Sequence, residues 1–202
     1  EIRNLTYKRS LQTIYYMPHF FSWVIIAGIT FDLLSHDGIM NIIRGWFGYE
    51  PILFMQKEAY FRPIVVLTSI WRDCGWGTIV LLAAIAGINP EVYESARIDG
   101  ANRIRQITHI TLPLMMPTVV VLLLLNLGNF LDLSFEQIYN LLTPMTFAVG
   151  DVIDTYVYRV GIIEAQYSAT TAIGLFQSVA GFLMIIIFNR LANKYQDGGG
   201  LF

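Results

Sequence analysis

Charge is scarce in this sequence. Asp, Glu, Lys and Arg make up 14% of its 202 residues, where a soluble domain carries about 25%. Most of the chain therefore lacks the material for an ordinary water-facing surface. A basic excess is missing too. The formal net charge is −2, which excludes the electrostatic footprint of a nucleic-acid-binding protein. The single cysteine, Cys74, excludes an internal disulfide. It lies in an apolar run and reads as a small hydrophobe. No glycine-rich phosphate loop with a following lysine is present. His19, His36 and His109 are scattered and lack metal-ligand spacing. Asp151 and Asp154 stand at i, i+3, with nothing beyond proximity to support acid/base work. No catalytic residue, metal site or bound cofactor is expected on this chain.

What is abundant is apolar sequence, at 55% of residues. Four segments are long enough to cross a bilayer, which takes about 20 apolar residues in a helix. They are 11–34, 63–88, 112–133 and 165–190, the second interrupted by Arg72 and Asp73. Strands are excluded because an open sheet edge stays unsatisfied in lipid. The expected fold class is all-α, a polytopic membrane protein with one transmembrane domain over 1–202. The chain opens at Glu1 on a polar stretch with no signal peptide, so this span count is a minimum. Basic residues set the orientation. With a cytoplasmic N-terminus, Arg3, Lys8, Arg9, Arg97, Arg103, Arg105, Arg190 and Lys194 lie inside. Arg44, Lys57, Arg62 and Arg159 lie outside, eight against four. Both termini of the chain are expected in the cytoplasm.

The outer loop carries Ile39, Ile42, Ile43, Trp46 and Phe47 at helical spacing. Two readings stand. The stripe belongs to a short amphipathic helix on the outer interface, with Trp46 at headgroup depth, or to a loop packed on the protein's own helices.

The cytoplasmic loop 89–111 has strong local signals. Asn89 suits an N-cap and Pro90 the first helical position. Glu91 complements the helix dipole, and Gly100 suits a left-handed stop. A second helical stretch over 101–111 is expected to end near Pro113. Small Ala96, Gly100 and Ala101 let another surface approach. Glu94, Arg97, Asp99, Arg103 and Arg105 would give that approach polar specificity.

Glu94-Ser95-Ala96, Asp99-Gly100-Ala101 and Ile110-Thr111-Leu112-Pro113 resemble the EAA loop of ABC importer permeases. Ser95 stands where alanine is usual. Tyr16-Met-Pro-His-Phe-Phe-Ser-Trp23, Ile153-Asp-Thr-Tyr-Val-Tyr-Arg159 and Ala172-Ile-Gly-Leu-Phe-Gln-Ser178 resemble the LplB-type permeases, which import complex saccharides. Many sugar permeases carry Gly-Gly-Pro where this chain has Leu142-Thr-Pro-Met145, a departure that bears on the cargo and not on the class. The resemblance implies the type I importer (MetI-like) fold in a bacterial plasma membrane, usually with about six spans, two of them before Glu1. It implies a helix that docks into a cleft of a nucleotide-binding subunit. Further implied partners are a second permease, homologous or identical, two ABC ATPase subunits that use ATP and magnesium, an extracytoplasmic solute-binding protein, and membrane lipid. Import of a non-sugar solute, or ion-coupled secondary transport, are the alternative functions.

Ionisable groups within a bilayer often mark a pathway. Arg72 lies roughly 14 Å along a helix from Pro63. Adjacent helical positions point about 100° apart, so Arg72 and Asp73 need not form one salt bridge. With Trp71 and Trp76 they are candidate pathway residues, since aromatic faces and charged forks suit sugar rings. A structural ion pair, or an arginine reaching the outer interface, is the rival reading. Asn126, Asn129 and Asp132 recur at i, i+3 and i+6 on one helical stripe. They are candidates for lining a wet cavity, against helix–helix hydrogen bonding. His19, beside Pro18, reads as a structural histidine at a kink. Gln177 and Ser178 suit packing or cavity roles equally.

Overall fold

A computed structural model of the chain describes residues 5–128 and 135–195. Among the described residues every regular element is helical. Four helical stretches are long and apolar enough to cross a membrane: Trp23–Trp46, Glu58–Ala86, Arg103–Asn126 and Tyr167–Arg190. By contact the chain divides into two compact units, residues 1–76 with 132–173, and residues 77–131 with 174–202.

The first unit opens with α1 (Leu5–Tyr16), a 3₁₀ turn (Met17–Phe20) and α2 (Trp23–Leu34). The expected segment 11–34 is therefore not one rod. Pro18 has no N–H and its ring crowds the carbonyl four residues back. The chain tightens to 3₁₀, with the Phe21 amide donating to Pro18 O at 3.2 Å, and becomes extended at Phe21 and Ser22. Ser22 then caps α2, its Oγ accepting from the Ile25 amide. The apolar stretch Trp23–Trp46 is broken as well. It turns at 35–38 between α2 and α3 (Ile39–Trp46). Alone, twelve-residue α2 is about 18 Å long, short of the ~30 Å hydrocarbon core.

The first two thirds of α4 (Glu58–Ala86) run beside this broken helix. Gly75 meets the last turn of α1, and a Cβ there would collide with the Tyr15 carbonyl. Only glycine lets the two backbones come so close. Arg72 lies over Trp23, and Ala27 packs with Phe61 and Ile64. The two chains thus pass in opposite directions. Met55 and Leu141 complete this core, and Phe31, Leu34, Tyr60 and Leu142 pack around it.

Three short helices lie between residues 135 and 157: α8 (Phe135–Leu141), α9 (Phe147–Gly150) and α10 (Ile153–Val157). Polar groups tie α8 to α4 and the loop after it to the turn before α4. The Gln137 amide donates to Val65 O at 2.7 Å and to Thr68 Oγ1 at 3.0 Å. Thr143 donates to Met55 O at 3.0 Å. Buried amides and hydroxyls need such partners, since each unmade bond costs about 1–3 kcal/mol.

The second unit contains α5 (Pro90–Ile98), α6 (Arg103–Gln106) and α7 (Leu112–Gly128). α11 (Tyr167–Tyr195) begins in the first unit and continues into the second. One expectation is corrected here. The helical stretch expected over 101–111 does not end near Pro113. A wide π turn, Ile107–Thr111, joins α6 to α7 without a break. The Leu112 amide donates to Ile107 O, five residues back. That wider spacing takes up the ring of the following proline, which an ordinary turn would exclude.

Candidate functional site

Two places carry the sequence's candidate residues. The first is the hairpin of α5 and α6. Asn89 Oδ1 accepts from the Glu91 amide at 3.0 Å, and Asn89 Nδ2 donates to the Glu91 carboxylate at 3.2 Å. Pro90 occupies the first turn, where its missing N–H costs nothing. The end of α5 is a Schellman stop. Gly100 sits at φ +76. Its amide donates to Arg97 O at 3.1 Å, and the Ala101 amide donates to Ala96 O at 2.8 Å. Asn102 then caps α6 through the Arg105 amide at 2.9 Å.

Two contacts that the sequence does not announce fix this hairpin. Tyr93 Oη and Thr111 Oγ1 lie 2.9 Å apart, tying α5 to the π turn. Gln106 Nε2 donates to Ala101 O at 2.9 Å, bracing the corner. Ser95 donates to Glu91 O within its own helix at 3.0 Å, so its hydroxyl is turned inward and it presents little more than an alanine. Glu94, Arg97 and Asp99 are exposed, and Ala96 and Ala101 are partly so. Ile98 is 87% exposed and Ile104 72%. Ile110 is half-buried beside the turn, while Leu112 and Pro113 are exposed at the start of α7. Among the described residues nothing covers these isoleucines, so the corner presents an apolar centre with a charged rim, the make-up of a protein–protein contact surface.

The second place is midway along α4. Asp73 Oδ1 lies 3.1 Å from His19 Nδ1 and 3.6 Å from Arg72 Nη1. The side chains of Arg72 and Asp73 do meet, despite their adjacent positions. The guanidinium lies 4.6 Å from the Trp23 ring, and its Nε is buried with no hydrogen-bond partner. His19 stacks on Trp76 with ring centres 4.8 Å apart and planes at 8°. The helix break at Pro18 delivers His19 here, 54 residues from Asp73 in sequence, a meeting that no local pattern encodes. Asp73 keeps 47% of its side chain exposed. A carboxylate so placed at mid-helix calls for water or another chain, not lipid. Trp71 is separated from this group. It lines an apolar groove with Ile29, Leu33 and Leu67. Asn126 donates to Leu122 O of its own helix at 2.7 Å. Asn129 and Asp132 lie outside the described residues.

A third polar group holds the segment after α8. Asp151 takes both ends of the Arg159 guanidinium, at 2.7 and 3.3 Å, and accepts from Thr155 at 2.7 Å. Arg159 also lies over Phe147 and Tyr156. Arg159 is the main reason the Asp151 carboxyl titrates below its ordinary value; partial burial opposes this, and Thr155 adds to it. A depressed folded value means that the pair's stabilisation is present above the unfolded carboxylate pKa, about 4. It is lost as pH falls through the lower, folded value. Limited proteolysis of residues 147–166 is therefore expected to begin only in strong acid. With Arg159→Gln the pair's stabilisation is absent at every pH, so cleavage of this segment is expected already near neutral pH. Identical acid profiles for the two proteins would contradict the assignment.

Among the described residues, membrane-length apolar helices with a capped helical hairpin exposed between two of them mark a polytopic membrane protein. The chain belongs to the binding-protein-dependent transport system inner membrane component family, whose sequence model matches residues 2–197. It is thus part of a multi-pass inner-membrane protein. Two relatives come from Bacillus subtilis (strain 168). The polygalacturonan/rhamnogalacturonan transport system permease protein YteP is 44% identical over 98% of this chain and 62% of its own length. Protein LplB is 46% identical over 98% and 63%. The chain thus spans a little under two thirds of these relatives. A crystal structure of a bacterial ABC transporter that imports the acidic polysaccharide alginate contains a chain 41% identical. It superposes with a TM-score of 0.92 over 97% of this chain and 69% of that one.

Proposed function

We propose that the chain is the transmembrane permease part of an ATP-driven, binding-protein-dependent importer of oligosaccharides. The carrying observation is the Schellman-stopped hairpin at Asn89–Ala101, which holds Glu94, Ala96, Asp99, Gly100 and Ala101 on an exposed, preorganised corner. Such a surface suits a cleft in a soluble ATPase. The relatives' names support a saccharide cargo, and an alginate importer has been solved with its saccharide-bound periplasmic protein.

In this reading both chain ends and the hairpin face the cytoplasm, as the basic residues favour. A second permease completes the pathway, and two ATPase subunits bind below. An extracytoplasmic binding protein delivers cargo from outside. ATP and magnesium belong to the ATPase, and this chain supplies no chemistry and no bound cofactor. Closure of the ATPase dimer displaces α5, and the attached spans open the pathway outward. Hydrolysis returns them. Arg72, Asp73, His19 and Trp76 offer cargo a charged fork, a carboxylate and an aromatic face.

The test is uptake of a labelled oligosaccharide into proteoliposomes holding the full-length permease pair. Uptake is expected only with the binding protein outside and both the ATPase and ATP inside. Uptake without ATPase, or driven by an ion gradient alone, would overturn the assignment.

A further inference from the structure

The polarity of α3 is inverted for a helix at a protein–water boundary. Asn41 is its buried residue, 4% exposed. The Asn41 amide nitrogen donates to Ser35 O at 2.8 Å and to Ile52 O at 2.9 Å. Its Oδ1 accepts from the Ile52 amide at 2.9 Å. These three bonds clamp the helix to the turn before it and to the loop after it. The apolar side chains face outward instead. Trp46 is 77% exposed and Phe47 74%, with Ile39, Ile42 and Ile43 also exposed. A surface loop in water would place these groups the other way round, since burying each large apolar side chain contributes about 1.5–3 kcal/mol. The reading of a loop packed on the protein's own helices is not what the described residues show.

Continuity names the occupant. α3 follows directly from the outer end of α2. Its Met40 lines the same open groove, about 360 Å³, as Ile29 and Leu33 of α2 and Ile64 and Leu67 of α4. The apolar surface of the two helices, interrupted only by Thr30 and Thr68 in that groove, thus reaches α3 at Met40. The turn just before it carries His36 and Asp37, with the Asp37 side chain 96% exposed. Apolar flank, aromatic end and adjoining polar turn match the layering of a headgroup boundary. Arg44 donates to Glu50 O at 3.2 Å and lies over Tyr49, so the one charge on the helix is drawn back toward its own loop.

We infer that α3 is an interfacial helix, seated in the outer leaflet through Ile43, Trp46 and Phe47 and pinned from behind by Asn41. It fixes the outer ends of α2 and α4 relative to the membrane surface. The choice of leaflet rests on the orientation proposed above, whereas the seating of α3 in the membrane boundary depends on neither the cargo nor the ATPase.

Site-directed spin labelling tests it in the assembled transporter, in nanodiscs of phosphatidylethanolamine and phosphatidylglycerol. On a Cys74→Ser background, single cysteines replace Ile43, Trp46, Phe47 and, as a water-facing reference, Asp37. Trp46 and Phe47 are exposed enough for these changes to spare the fold. The nitroxides at 43, 46 and 47 are expected to collide with oxygen and not with a water-soluble nickel chelate. The label at 37 is expected to show the reverse. Nickel access at 46 and 47 would place the face in water. Protection from both reagents would mean that a protein partner covers it, whether the second permease, the binding protein or another segment of the full-length chain. Either result overturns the inference.

Discussion

Gly100→Asp is expected to abolish ATP-coupled uptake while the protein still inserts in the membrane. Nothing in the described chain lies within 4 Å of a Cβ at Gly100, so the change meets no internal clash. The left-handed conformation costs a residue with a Cβ about 1–2 kcal/mol, and aspartate and asparagine tolerate it better than most. The hairpin therefore survives. What changes is the surface, where a carboxylate now stands beside Asp99 at the closest point of approach. Losing an interface hot spot costs about 2 kcal/mol or more, roughly a thirtyfold loss of affinity. ATPase co-purification with the permease measures this directly. Gly100→Asn separates charge from bulk, and Gly100→Val attacks the left-handed stop itself. Glu94→Lys reverses a charge on the same face without touching the turn and should also cost ATPase association. Normal uptake in both Gly100→Asp and Gly100→Val would remove the docking role from this corner.

Asp73→Asn has the second-largest effect, and it acts through Arg72. Arg72 is the central residue of 29-residue α4. With its partner neutralised, the guanidinium stays charged at mid-helix, where an uncompensated charge costs about 2.5–3.5 kcal/mol. A marked fall in thermal stability and in uptake is expected. The double variant Arg72→Met/Asp73→Asn removes both charges, and stability should largely return, as it does when a buried ion pair is replaced whole. Uptake should not return if these groups meet the cargo. Recovery of both in the double variant would reduce the pair to a structural role. Because the residues touch, the cycle reads their coupling and not two independent losses.

The parts of this protein that were legible in the sequence are those whose causes are local. Asn89, Pro90 and Gly100 announce α5 because a cap, a fixed φ and a left-handed stop each need only a few neighbouring residues. The apolar runs announce membrane-length helices for the same reason. Pro113 misleads because a proline does not reveal whether the helix before it widens to admit the ring. His19 and Asp73 meet only through the break at Pro18 and the close approach at Gly75, which requires two distant helices to be in place. For α3 the spacing of Ile39, Ile42, Ile43 and Trp46 gives the helix but not the direction in which its stripe faces. That direction is set by Asn41 bonding backbone on both sides of it, a choice invisible in a hydrophobic pattern. Trp71 and Trp76 looked equivalent by type and are not, since one lines an apolar groove and the other carries His19.

The contact between Tyr93 and Thr111 has a mechanical consequence. A helix joined to its neighbour by a loose loop would absorb a push at its surface by swinging in place, and little of the stroke would reach the next segment. Here the Gly100 stop, the Gln106 brace and the tyrosine–threonine strut remove that slack, and the unbroken π turn carries the load straight into α7. In the proposed importer such a corner would act as a bell crank with little backlash, turning a push on α5 into motion of α7.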